Sequence, residues 1–133
     1  MDAYLTRGAV RTLRALALFP GAEGEGFLLG HRRGGRRIVE NALPTERGFF
    51  PTLDSFIQAD EILGGSVIGF FSFKPGRASL KKIMAPFACG KVFLDAAGLK
   101  TGRRAPQAFL IDFDRAFALK PVPCILEKET RGE

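Results

Sequence analysis

The chain has 133 residues, with 20 Lys+Arg against 14 Asp+Glu, a net charge of +6. This length suits one domain of about 100–200 residues, and 46% hydrophobic with 26% charged residues excludes a disordered tail. A single histidine, His31, excludes a zinc site built on two or three histidines.

Residues Leu5 to Leu18 are predicted as an amphipathic helix, with Leu5, Ala9, Leu13 and Leu16 on one face. Arg7, Arg11 and Arg14 form a second stripe, read as a solvated face in preference to a surface for acidic partners. Phe19-Pro20-Gly21 stops the helix. A strand at Gly26 to Gly30 and its partner at Arg36 to Leu43 form a hairpin around His31-Arg32-Arg33-Gly34-Gly35. Its tip gathers Arg32, Arg33, Arg36 and Arg37, a candidate site for anions or partners. No aromatic side chains interleave with these arginines, so nucleic acid is not the expected ligand.

After Pro44, Thr52 is placed as the N-cap of a helix carrying Leu53, Phe56, Ile57 and Leu63, which Gly64-Gly65 ends. Ser66 to Phe73 is almost continuously apolar and reads as a central buried strand. Ser79 is expected to cap a short helix containing Leu80, Ile83 and Met84, limited by Pro86. Lys91 to Asp95 reads as a strand, Lys100 to Arg104 as a turn, and Gln107 to Phe113 and Ala116 to Leu119 as later strands. This order gives an α/β single domain over residues 1–133, one sheet with helices packed on it. The core is expected to span about 5 to 126, and the charged tail at 127–133 to fray.

No apolar run approaches the ~20 residues of a membrane helix. Met1 to Leu5 lacks a basic start leading into an apolar stretch, so no signal peptide is expected and the localisation is read as cytoplasmic. Cys89 and Cys124 are then expected to be reduced, buried thiols. A Cys89 nucleophile with His31 as base is set aside, because small cysteines more often pack than react. A metal site from His31, Cys89 and Cys124 has no closely spaced ligand pair. Asp112 and Asp114 flank Phe113 on a strand and should both face solvent. Gly24-Glu25-Gly26 is no phosphate loop, since no lysine–hydroxyl pair follows it.

Three segments resemble the JAMM/MPN metalloprotease family, which includes deubiquitinating isopeptidases. Glu23-Gly24-Glu25-Gly26-Phe27-Leu28-Leu29-Gly30 is similar to the family's glutamate followed, three residues on, by Gly-hydrophobic-Leu-hydrophobic-Gly. Ile68-Gly69-Phe70-Phe71-Ser72-Phe73-Lys74-Pro75 is similar to its hydrophobic-Gly-aromatic-aromatic-His-Ser-His-Pro. Ser79-Leu80-Lys81-Lys82 stands where the family has Ser-x-x-Asp. The resemblance implies an MPN-like domain, with a mixed, mostly antiparallel sheet flanked by helices. Active members hold Zn²⁺ on two histidines and an aspartate, and a glutamate activates the bound water. Carried over, the ligand positions are Ser72, Lys74 and Lys82, so only Glu23 and Ser79 match the catalytic set.

A serine hydroxyl is a poor zinc ligand and a protonated lysine is none. The resemblance therefore implies a degenerate site with zinc absent and no catalytic residue. The expected function is a catalytically inactive protein-interaction or scaffold module, working with a protein partner or as a homodimer. An isopeptidase-type hydrolase with a substituted site is the alternative, and a nucleic-acid or anion binder using the basic hairpin a further one. In the emptied site, Lys74 or Lys82 is expected either to pair with Glu23 or to point to solvent. A second version has Ser72, Lys74, Ser79 and Lys82 binding an anion.

Overall fold

The computed structural model describes residues 1–18, 24–45, 53–102 and 104–128. The elements are β1 Asp2–Leu5, α1 Arg7–Ala17, β2 Glu25–Arg33, β3 Arg36–Pro44, α2 Leu53–Ile62 and β4 Val67–Ser72. They continue with α3 Arg77–Ile83, a 3₁₀ turn at Pro86–Ala88, β5 Val92–Asp95, α4 Ala97–Thr101, β6 Gln107–Asp114, β7 Ala116–Val122 and β8 Cys124–Leu126. All eight strands join one sheet in the order β7-β6-β5-β4-β2-β3-β1-β8. Four pairings are antiparallel (β2–β3, β2–β4, β5–β6, β6–β7) and three parallel (β1–β3, β1–β8, β4–β5). The α/β class and the mixed sheet flanked by helices agree with expectation.

Helix α1 covers one face of the sheet. Thr6 caps it by accepting from the Ala9 amide at 3.2 Å. Its buried Ala9, Val10, Leu13 and Ala17 pack against Leu5, Leu28, Val39, Phe71 and Leu94 from the strands. The opposite face is aromatic. Cross-strand register aligns Phe27, Phe70, Phe93 and Phe109 in one row across β2, β4, β5 and β6. Phe56 of α2 and Phe87 of the 3₁₀ turn lie over Phe70, with ring centroids 6.2 and 6.1 Å away. All of β4 is buried, as its apolar run requires. Each fully buried side chain of this size contributes about 1.5–3 kcal/mol. No helix of the described residues is long and apolar enough to cross a membrane.

Several expectations need correction. Leu5 ends a strand rather than opening a helix, and α1 begins at Arg7. Four residues are too few for periodicity to announce β1. Strand β2 runs on to Arg33, so the hairpin tip is only Gly34-Gly35, with Gly34 at φ +60. Gly76 caps α3, and Ser79 lies inside the helix. The segment read as a turn from Lys100 opens inside α4, whose first amide, that of Ala97, donates to Asp95 Oδ1 at 3.0 Å. Gly102, at φ +69, ends it.

The tail does not begin to fray at 127. The Glu127 amide donates to the Leu5 carbonyl at 2.8 Å, and its carboxylate takes Arg7 Nε at 3.0 Å. Arg7 is therefore tied down rather than part of a free stripe. Cys89 is exposed and Cys124 half-buried, so neither is a fully buried thiol, and both are free. Asp112 pairs with Lys120 Nζ at 2.7 Å instead of simply facing solvent. Helix α2 leaves Leu53 and Ile57 exposed and packs through Phe56 and Ala59, joined by Leu63 just after its end. The Phe19-Pro20-Gly21 stop, the Thr52 cap and the Arg103 end of the expected turn lie outside the described residues.

Candidate functional site

Of the resembling positions, Ser72 ends β4, Lys74 follows it, and Ser79 and Lys82 lie on α3. Register places Glu25 of β2, Ser72 of β4, Asp95 of β5 and Gln107 of β6 in one row. Strand alternation puts this row on the same face as the phenylalanine row, two residues away on each strand. Directly opposed residues hold their Cβ atoms about 4.5–5.5 Å apart. Ser72 is completely buried. Its Oγ accepts from the Lys74 amide at 3.1 Å, and its carbonyl accepts from the Ala96 amide at 2.9 Å. The Glu25 carbonyl accepts from both Thr45 N and Thr45 Oγ1 at 2.8 Å, which fixes the start of β2.

Glu25, not singled out from sequence, is the carboxylate that stands opposite Ser72, with Oε2 buried. Period-two counting back from Phe27 would have found it. Glu23 lies outside the described residues, and with it the expected pairing to Lys74 or Lys82. Lys74 and Lys82 are both exposed, and neither makes an ion pair among the described residues. Ser79 is half-buried on α3. Lys82 lines an apolar groove of about 610 Å³ with Leu53, Ala85, Pro86 and Phe87.

These residues do not suit zinc. The Ser72 hydroxyl, which accepts from a backbone amide, is neutral and a poor zinc ligand. An ammonium at either lysine position has no lone pair to donate. Among the described residues, no group of three or more His, Cys, Asp or Glu side chains converges to hold a metal ion.

The four arginines of the hairpin do not form one free cluster. Arg32 and Arg33 are exposed. Arg36 grips Asp2 with Nε at 3.0 Å and Nη2 at 3.1 Å, and its guanidinium lies 5.0 Å from the Tyr4 ring centroid. Arg37 is buried, only 3% exposed, and its Nη2 donates to the Gly90 carbonyl at 3.1 Å. Expecting four solvated charges on one loop was wrong, because strand alternation turns Arg37 inward beside Val39. His31 is occupied as well, Nδ1 lying 2.8 Å from Glu40 Oε1. A second groove, of about 550 Å³, lies between α1 and α4 and is lined by Arg14, Arg104, Leu18, Leu99 and Leu126 among others.

No known protein-family profile matches the chain. No curated protein matches it either. Among solved structures, it is similar to the solution structure of protein DSY2949 from Desulfitobacterium hafniense. The TM-score is 0.64 at 19% identity, over 97% of this chain and 95% of that one. At that identity the likeness establishes a shared fold and nothing about activity.

Proposed function

We propose that the protein is a non-hydrolytic, JAMM/MPN-like interaction module that pairs through the open edge of its sheet. The observation that carries this reading is β7. It is the last strand on its side of the sheet, and its outer backbone groups have no partner strand among the described residues. Beside it, Phe113 and Phe117 pack ring to ring at 4.8 Å, with Phe113 55% exposed. A strand edge with adjacent exposed aromatic surface is a ready template for another strand. The side chains at the ligand positions support the non-hydrolytic half of the reading, since Ser72, Lys74 and Lys82 supply no adequate ligand set. The nucleic-acid alternative has weaker support, because Arg36 and Arg37 are engaged inside the fold.

Two measurements on the purified chain test the proposal. Light scattering across a concentration series is expected to show a dimer that Phe113→Lys dissociates. Metal analysis and an isopeptide-linked substrate, with and without chelator, are expected to show no chelator-sensitive cleavage. Stoichiometric zinc with chelator-sensitive cleavage overturns the non-hydrolytic reading. A monomer at every concentration overturns self-pairing through β7.

A further inference from the structure

Arg37 is the least expected side chain in the molecule. It is a cation 3% exposed, and its Nε and Nη1 atoms are buried with no hydrogen-bond partner among the described residues. Among the described residues only Nη2 is used, on the Gly90 carbonyl. A guanidinium carries five N–H donors, and leaving buried donors unmade is costly. The neighbouring charge makes matters worse. Arg32 stands directly opposite on β2, so both side chains leave the same face of the hairpin. Burial first, and then the Arg32 charge, hold the Arg37 guanidinium below its usual range. Two carboxylates near it in the sheet are engaged elsewhere, Asp2 by Arg36 and Glu40 by His31.

Water would satisfy the free donors but not the charge. We infer that Arg37 and Arg32 form a binding site for one small oxyanion of the phosphate class. Two arginines balance a dianion, and phosphate groups carry about −1.5 to −2 at pH 7. The guanidinium fork suits oxygen atoms spaced as on a tetrahedral anion. Exposed Arg32 marks the solvent side of the site and buried Arg37 its floor. That burial favours a compact anion over a polyanionic backbone, whose charges are spread along a surface. The site is independent of β7 and of the residues at the end of β4.

Inorganic phosphate is the probe, titrated at constant ionic strength against chloride. Melting temperature and ¹H–¹⁵N shifts are the readouts. The parent protein should show a saturable rise in melting temperature. Shift changes should centre on Gly90, Arg32 and Arg37 Nε. Arg37→Met, which keeps the apolar stem, should abolish the saturable response. Arg32→Gln, a surface change expected to leave the fold intact, should weaken phosphate binding about tenfold, the loss of one charge-assisted contact of about 1.5 kcal/mol converted to affinity. It therefore remains informative if Arg37→Met does not fold. An equal temperature rise in Arg32→Gln, or no saturable response in the parent, overturns the inference. A short DNA duplex is the competing probe, and binding tighter than that of phosphate would reassign the surface to nucleic acid.

Discussion

Glu127 shows how one carboxylate ties the two ends of the chain together. It accepts from the Arg7 amide at 3.2 Å, from Arg7 Nε at 3.0 Å and from the Tyr4 hydroxyl at 3.3 Å. The Arg7 amide bond, joined by the Arg7 and Tyr4 side chains, outweighs desolvation and holds the carboxyl below its usual 4.5. A depressed folded value stabilises the protein fully above the unfolded value. That contribution is lost as pH falls through the lower folded one. Glu127→Gln is therefore expected to flatten the acid limb of thermal stability below about pH 4.5. An acid limb identical to that of the parent would contradict the assignment. The cysteines divide in the same local way. Burial pushes the Cys124 thiol up to about 11, whereas Cys89 is exposed. At pH 8 roughly one Cys124 in a thousand is thiolate, so iodoacetamide should label Cys89 well before it. Mass spectrometry of the partly labelled protein reads the order directly, and equal labelling would place Cys124 outside the sheet.

At the scale of elements, Gly69 allows β4 and β5 to approach closely. A Cβ at Gly69 would collide with the Val92 carbonyl oxygen across the parallel pair. Gly69→Ala should destabilise the protein by about 1–3 kcal/mol or more, since backbone cannot yield as a flexible side chain can. Denaturant unfolding measures this, and a change under about 0.5 kcal/mol would deny the close approach. Helix α2 is the opposite case. None of its residues is fully buried, so its amides should exchange with solvent before those of β4. The same contrast explains what the sequence made legible. Strand β4 announced itself because burial on both faces demands an unbroken apolar run. Strands β1 and β8 did not, because four- and three-residue strands owe their form to pairing with neighbours, β1 with β3 and β8, and β8 with β1. Helix α4 escaped notice because it is only five residues long and shows no apolar period. At the candidate site, Ser72 was singled out by resemblance and ends β4. Glu25, which pairs opposite it, was not singled out because the resemblance picks out the nearby Glu23 instead. Arg37 was misread because composition gives a charge no direction, whereas the β3 register does.

At the scale of the whole molecule, the sheet is completed by its ends. Strand β1 lies between β3 and β8, so residues near the start of the chain are flanked by residues near 125. Tyr4 and Glu127 touch across 123 positions of sequence. Bringing such distant segments together carries a loop-closure entropy cost, and that cost grows only slowly with length. The return is burial: Leu5 and Ala3 are wholly inaccessible, with Leu126 and Cys124 packed against the same core. Strand β8 also supplies backbone partners, since the Ala3 amide donates to the Pro123 carbonyl at 2.9 Å and the Glu127 amide to Leu5. Ending the chain after Val122 removes these bonds, uncovers Leu5 and leaves Arg7 and Tyr4 without their carboxylate. Losing two part-buried side chains and the β8 ladder should cost about 3 kcal/mol. For a domain of this size that corresponds to a fall in melting temperature of roughly 10 °C. Glu127→Gln separates the two contributions: it removes the charge but keeps the strand, so at neutral pH it should lower the melting temperature less than the truncation does. A truncated chain melting within about 2 °C of the parent would show that β1 is held by β3 alone, and that β8 adds nothing to the fold.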